Sequence, residues 1–216
     1  MKITLILMGV QGCGKGTQAD LLEQRFSWKH INIGDLFRSN ISNGTELGKQ
    51  AKAHIDRGDL VPDELVFELI SQALAEAEGG VILDGFPRNL EQAKFLDDRV
   101  LVNRVYLLEL ADETAVARIS ARRNCRDCKR VYNLVYNPPR REKVCDVCGG
   151  ELIRRADDNP DAVRQRISKF HEETEPVIRL YEKRGILKRI DAGFRAEVVQ
   201  QIIIEDLQSS GVYESR

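Results

Sequence analysis

The sequence predicts an α/β protein built on a doubly wound parallel sheet, with a phosphate-binding loop at the C-terminal end of its first strand. Three observations carry this. The apolar run Ile3–Met8 leads straight into the glycine-rich stretch Gly9-Val10-Gln11-Gly12-Cys13-Gly14-Lys15-Gly16-Thr17. Strand-like runs then alternate with helical patterns, the order that yields a parallel sheet covered on both faces. At 216 residues the chain is one large domain, or one domain with insertions, and is long enough for a substantial core.

Taken in order, Ile3–Met8 reads as a buried strand and Lys15 to about Arg25 as the helix after it. A short strand near His30–Asn32 precedes helical stretches over Asp35–Asn43, Glu46–Arg57 and Pro62–Ala77. Val81–Leu83 is a strand that ends at Asp84. Helix Asn89–Asp97, strand Val105–Leu110 and helix Asp112–Arg123 follow. After an irregular segment a long helix starts near Asp161, with Pro160 suited to its first turn and Pro176 expected to bend it. Strand Leu187–Ile190 and helix Ala196–Leu207 close the pattern. No internal repeat or low-complexity linker interrupts it.

The loop fits G-x-x-x-x-G-K from Gly9 through Gly14 and Lys15. Its glycines let backbone N–H groups converge on an anion, the helix N-terminus adds partial positive charge, and the lysine reaches the outer phosphates. Gly16 stands where most such loops place a Mg²⁺-binding Ser or Thr, and Thr17 comes one residue late. The plainer alternative is an ordinary tight β–α turn.

Lys plus Arg number 33 against 34 Asp plus Glu, a net charge of −1, so no global positive field draws the chain to nucleic acid or a membrane. No apolar run approaches the roughly 20 residues needed to span a bilayer. Met1-Lys2 leads into a strand rather than a signal peptide, and a cytoplasmic location is expected.

Cys125-x₂-Cys128 and Cys145-x₂-Cys148 form two knuckles separated by 16 residues. That spacing suits a structural zinc site of four thiolates, closed tetrahedrally and with no open position for catalysis. Zinc would replace the hydrophobic core that so small a lobe cannot build. Two alternatives stand beside it. Disulfides are one, disfavoured in a cytosolic chain. A nucleic-acid ribbon is the other, given Arg126, Lys129, Arg130, Arg140, Arg141 and Lys143, although Asp127, Glu142 and Asp146 break the basic face. Cys13, inside the loop, reads as a small residue only.

Asp84-Gly85-Phe86-Pro87-Arg88 follows the strand Val81–Leu83. A carboxylate at a strand end beside such a loop is where Mg²⁺ and its waters are held. Arg38, Arg88, Arg118, Arg122, Arg155 and Arg166 lie in or beside elements expected to flank the cradle. Arginine clamps phosphate bidentately, and two facing phosphate chains would need this many where one nucleotide would not. For any single arginine the competing reading is a solvated helix-face charge. His30, His54 and His171 show no nucleophile or metal spacing and read as structural.

With these residues assembled, the chain resembles the adenylate kinases, within the nucleoside monophosphate kinases, in their form with a zinc-bearing lid. The resemblance rests on Gly9–Gln18, Gly34–Arg38 (GDLFR), Leu60–Val66 (LVPDELV), Leu83–Arg88 (LDGFPR) and Gln92. It continues through Ala117–Arg123, Arg130–Asn133, Asn137–Pro139, Cys145–Leu152 and Arg154–Asp158. It also accounts for Gly16, since the family's loop carries Lys-Gly-Thr.

The resemblance implies a core of five parallel strands from residues 1–31, 62–120 and 159–216, a helical AMP-binding flap at 32–61, and a zinc-bound lid at 121–158. It implies the reaction ATP + AMP ⇌ 2 ADP with Mg²⁺, serving adenine nucleotide balance in a monomeric enzyme whose partners are the nucleotides alone. Gly12, Cys13, Gly14, Lys15, Gly16 and Thr17 would wrap the ATP phosphates. Asp84, with Asp35 behind it, would orient waters on Mg²⁺. Arg38 and Arg88 would hold the AMP phosphate, with Ile33, Asp59, Leu60, Val61, Gly85 and Phe86 lining that site and Gln92 bonding the adenine. Arg118 would stack on the ATP adenine. Arg122, Arg155 and Arg166 would gather on the transferring phosphoryl, and the last two would also reach AMP. Val131, Tyr132 and the backbone near Phe194 would touch the ATP side.

The family's usual Ser-Thr-Gly-Asp is here Asn32-Ile33-Gly34-Asp35, so an alkyl group replaces the hydroxyl beside the AMP base. Related UMP/CMP kinases place a small residue there and carry Asn after the arginine, which Asn89 echoes. A pyrimidine monophosphate kinase is therefore the alternative on this fold, although Gln92 and the long lid favour AMP. From another class comes a switch or zinc-ribbon binding module. A GTPase would carry N-K-x-D, which does not occur, and a nucleic-acid module would be basic overall.

Overall fold

The computed structural model describes residues 3–155 and 157–213. Met1-Lys2, read above as leading into the first strand, and Ala156 of the Arg154–Asp158 motif lie outside them. The first half of the chain folds as β1 (Thr4–Met8), α1 (Lys15–Phe26), β2 (Lys29–Asn32), α2 (Ile33–Ser42), α3 (Glu46–Arg57), α4 (Asp63–Ala75) and β3 (Val81–Asp84). Then come α5 (Leu90–Asp97), β4 (Arg104–Glu109), α6 (Asp112–Ser120), β5 (Arg122–Cys125), β6 (Val131–Asn133) and β7 (Leu152–Ile153). Helix α7 (Pro160–Lys169), a π-helical turn at Phe170–Thr174, α8 (Glu175–Lys183), β8 (Leu187–Asp191) and α9 (Ala196–Ser209) complete it.

Five strands pair in the order β2-β3-β1-β4-β8, every pair parallel. The expected doubly wound sheet is thus present. The apolar runs of β1 and β3 are continuous because both faces are covered. Alternate residues divide between two cores. Ile6, Met8, Leu83, Val105 and Leu107 pack with Ile70, Leu96 and Tyr181 on one side. Leu5, Leu7, Ile82, Tyr106 and Leu108 pack with Leu22, Ile119 and Ile203 on the other. The register Leu7↔Asp84 and Asn32↔Asp84 sets the C-terminal ends of β1, β2 and β3 side by side. That shared edge carries the site.

Three local readings shift. The helix expected over Asp112–Arg123 stops at Ser120. Leu134 N–H donates to Ala121 O at 2.9 Å and Asn133 Nδ2 to Arg118 O at 2.9 Å, so its last carbonyls are taken from outside the helix. Arg122 and Arg123 continue instead as β5, the centre of a small antiparallel sheet β6-β5-β7 within the segment read as irregular. Where a bend is expected at Pro176, the regular helix is already interrupted upstream, by the π-helical turn. Pro176 has no N–H for the turn before it, and the wider turn absorbs the mismatch. Helix α2 begins at Ile33, two residues early, because the Asn32 side chain caps it. No helix among the described residues is long and apolar enough to cross a membrane.

One polar cluster fastens the last helix to the sheet. Arg104 donates from Nε and Nη2 to Asp206 at 2.7 and 2.9 Å, and the buried Tyr106 hydroxyl donates to the same carboxylate at 3.0 Å. Burial alone would raise the Asp206 pKa, but the Arg104 and Tyr106 bonds override it and hold it below the usual carboxylate range. A lowered pKa gives stability that is full above the unfolded value and is lost as pH falls through the folded one. Asp206→Ala is expected to cost about 2 kcal/mol near neutral pH, since it strands a partly buried guanidinium and a buried hydroxyl. The difference from the native protein should shrink below about pH 4. Urea unfolding across that range checks both, and an unchanged midpoint at neutral pH would contradict the assignment.

Candidate active site

The cradle starts where β1 ends. Gly9 has φ 137°, and a Cβ there would stand 2.4 Å from Leu108 O, so the loop lies against β4 only because the residue is glycine. Gly14 enters α1 at φ 105° and no side chain caps that helix, so its first-turn N–H groups remain for an anion. Lys15 folds back over the loop, donating from Nζ to Gly9 O at 2.8 Å and Val10 O at 3.1 Å. Buried Cys13 contributes small volume beneath it. Gly12 and Gly16 are part-buried, and Thr17 is exposed one position later.

Asp84, at the end of β3, is almost fully buried. Its Oδ2 accepts from Asn32 Nδ2 at 2.5 Å and lies 3.5 Å from His30 Nε2. Burial favours the neutral acid, but His30, Lys15 and Asn32 outweigh it and keep the carboxylate ionised. His30 is bound at its other nitrogen by Asp20 at 3.0 Å. Burial works against its charge, yet the two carboxylates raise it to about 10. His30 therefore belongs to this centre, which its lone position in the sequence did not signal.

Five of the six singled-out arginines meet across the cleft. Arg38 chelates Asp35 at 2.6 and 3.0 Å and lies 3.5 Å from Asp157. Arg166 reaches Asp157 at 2.8 Å, Gln11 Oε1 at 3.3 Å and Ile55 O at 3.1 Å. Arg122 pairs with the fully buried Asp158 at 2.5 and 3.0 Å. Arg155 bonds Asn124 Oδ1 at 2.9 Å and lies 3.9 Å from Asp35. Among the described residues Arg88 has no carboxylate within bonding distance, and it donates from Nε to Gly85 O at 2.6 Å. Desolvation, then like charge from Arg166 and Arg38, lowers Arg88 to about 10. Desolvation and the charges of Arg38 and Arg122 do the same to Arg155. The counter-charges Asp157 and Asp158 were legible only as part of a motif, with no role attached.

On the flap side Ile33, Val61 and Phe86 are buried in the first core, and Leu60 is half-buried. Asp59 accepts from Arg57 and from Gln165 of α7. Gln92 spans two partners: Oε1 accepts from Arg88 N–H at 2.8 Å and Nε2 donates to Asp63 at 2.7 Å. One N–H and one lone pair of that amide stay available. Asn89 caps α5 and donates to Asp63, which gives it a structural duty without reference to any base.

On the opposite side a cleft of about 530 Å³ is lined by Leu110, Thr114, Arg118, Tyr136 and Gly193, with the exposed Phe194 alongside. The Arg118 guanidinium stands 5.0 Å from the Tyr136 ring. Tyr136 was not picked out from the sequence. Val131 is exposed, but Tyr132 is buried in the small sheet and does not line this cleft.

The four lid sulfurs lie within 4.8 Å of one another, with Cys125–Cys148 at 3.4 Å and Cys128–Cys145 at 3.6 Å. A tetrahedron of thiolates about 2.3 Å from zinc has edges near 3.8 Å, so the cluster could bind that ion. All four are free thiols, not disulfides. Tyr132 hydroxyl sits 3.4 Å from Cys145 Sγ and accepts from Asp146 N–H at 2.8 Å. That contact, ahead of the backbone N–H bonds, lowers Cys145 to about 6.

A profile of the family described as Adenylate kinase matches residues 7–186. The chain belongs to the adenylate kinase family. It is 46% identical over 191 residues to the adenylate kinase of Caldicellulosiruptor bescii, covering 85% of this chain and 88% of that one. It is 45% identical over 214 residues to that of Streptomyces griseus, covering 95% and 98%. The Staphylococcus aureus Mu50 adenylate kinase is 40% identical over 212 residues, covering 95% and 99%. Membership makes the chain a nucleoside monophosphate kinase, a phosphotransferase, and displaces the switch and zinc-ribbon readings.

Outer-sphere donors to a metal-bound thiolate hold the ligand in place, and losing one costs on the order of 10-fold or more in metal affinity. In protein loaded with zinc, Tyr132→Phe is therefore expected to speed release of the ion to a chelating dye by about that factor. Release at the native rate would assign the hydroxyl to packing alone.

Proposed function

We propose that the chain transfers the terminal phosphoryl of ATP to AMP, giving two ADP, and so balances adenine nucleotides. The observation that carries this is the convergence of Arg38, Arg88, Arg122, Arg155 and Arg166 opposite the Lys15 cradle, more positive charge than one nucleotide calls for. Gly12 to Thr17 and Lys15 bind the ATP phosphates, and Arg118 and Tyr136 flank its base. Arg38 and Arg88 hold the AMP phosphate. Arg122, Arg155 and Arg166 align the phosphoryl in flight.

No residue acts as a base, because the attacking phosphate oxygen of AMP is already anionic. Catalysis comes from alignment, charge neutralisation and exclusion of water, the competing acceptor. Mg²⁺ travels with ATP and spreads charge from its phosphates. Asp84, held ionised and with no protein hydrogen bond to its Oδ1 among the described residues, suits the waters of that ion. Zinc is the ion proposed for the lid.

Residues 1–31, 62–120 and 159–216 act as core, 32–61 as the AMP flap and 121–158 as the lid. The separate antiparallel sheet β6-β5-β7, with its own small buried cluster, supports setting the lid apart, and two contacts join the parts. Arg155 lies 3.9 Å from flap Asp35, and Arg166 of α7 bonds flap Ile55 O. The enzyme is proposed to work as a cytoplasmic monomer without nucleic-acid or membrane partners, in keeping with its net charge of −1.

Lys15→Met should cut phosphoryl transfer by about 10²- to 10³-fold, the usual effect of losing one preorganised charge donor, with the unfolding midpoint near native. Retained turnover would refute the role. With Mg·ATP as donor and AMP, CMP, UMP, GMP and dTMP as acceptors, AMP is expected to lead by a wide margin. Preference for a pyrimidine would keep the fold and chemistry and change the substrate. Ile33→Thr should alter the AMP/CMP/UMP ratio more than the maximal rate, and an unchanged ratio would show that the buried Ile33 serves the core alone.

A further inference from the structure

The two acids assigned to the Mg²⁺ waters, Asp84 and Asp35, sit on different elements, one ending β3 and one in the first turn of α2. One side chain reaches both. Asn32 is the last residue of β2 and the N-cap of α2, and it pairs in register with Asp84 across the β2–β3 ladder. Its Nδ2 donates to Asp84 Oδ2 at 2.5 Å while its Oδ1 accepts from Asp35 N–H at 2.9 Å. A primary amide does this with two separate atoms. A carboxylate lacks the donor, and a hydroxyl must serve both from one atom.

The consequence for Asp84 is a division of labour between its oxygens. Oδ2 is held by Asn32 and lies 3.5 Å from where a Cβ on Gly16 would stand, so the carboxylate is pinned between β2 and the start of α1. Oδ1 takes no hydrogen bond from protein among the described residues. Asp35 is meanwhile fixed at the helix start by the cap, with Arg38 and Arg155 on its carboxylate. We propose that Asn32 is the positioning residue of the divalent-cation site, holding the flap acid and the β3 acid in one arrangement through a single amide. The inference rests on the phosphoryl-transfer reading above.

The test compares the full chain with Asn32→Gly and Asn32→Ser. Glycine at an N-cap costs a helix only a few tenths of a kcal/mol, so the flap should keep its fold while losing the amide. Serine keeps a short group able to cap and to donate. Mn²⁺ binding to the protein–ATP complex is read by electron paramagnetic resonance, and Mg²⁺ dependence by transfer at fixed ATP. Asn32→Gly is expected to weaken Mn²⁺ binding, and to raise the half-saturating Mg²⁺, by on the order of 10-fold. AMP affinity and the melting midpoint should stay near native, and Asn32→Ser, whose single hydroxyl must serve both acids, should restore only part of the cation affinity. Native cation binding in Asn32→Gly would overturn the proposal. So would parallel losses of AMP affinity and thermal stability, which would mark general damage to the flap. A native protein with no Mg²⁺-dependent transfer would overturn the phosphoryl-transfer reading instead, which keeps the two failures apart.

Discussion

Everything around the cleft answers to the repulsion among its cations. Five guanidinium groups and the Lys15 ammonium share one partly desolvated space, and like charge at that range opposes folding. The strain is visible in Arg88 and Arg155, both lowered to about 10 by desolvation and by their arginine neighbours. Four acids offset it. Asp84 stands at the end of β3, Asp35 in the first turn of α2, and Asp157 and Asp158 between β7 and α7. Burial would protonate Asp157, and Arg166, Arg38 and Arg155 keep it charged. Each acid also sits where two parts of the molecule meet. The same pairs that neutralise the arginines therefore tie α2, the small antiparallel sheet and α7 together, and anionic phosphates entering the cleft would compete for those arginines directly.

Much of this was legible in the sequence, and the reasons are specific. Strands β1 and β3 announce themselves because both faces are buried and their residues are apolar without a break. The cradle is legible because positive-φ glycines and a lysine at fixed spacing have few other uses. The cysteine knuckles are legible because ligand spacing is local. What escaped reading was long-range pairing. Asp157 and Asp158 look like ordinary acids until Arg166 and Arg122 are brought to them by α7 and β5. His30 sits in a polar stretch that does not reveal the register placing it beside Asp84. The end of α6 was misplaced because Arg122 and Arg123 have good helix propensity, while the bonds that stop the helix come from Asn133 and Leu134, ten or more residues on.

A metal held by the four cysteines would set the stiffness of the small sheet β6-β5-β7. Its buried apolar cluster consists of Cys125, Tyr132, Cys145 and Leu152, and two of those four are proposed zinc ligands. Three short antiparallel strands with so little core are marginal alone, so an ion is the main source of order available to them. The lid in turn carries Arg122 on β5 and Arg155 just after β7. Arg122 is anchored to Asp158 and Arg155 to Asn124 of β5. A metal held by the four cysteines and the placement of Arg122 and Arg155 would thus run through the same short sheet. The α/β core keeps its own two hydrophobic layers and takes no part in that coupling except at the helix ends where the sheet is attached.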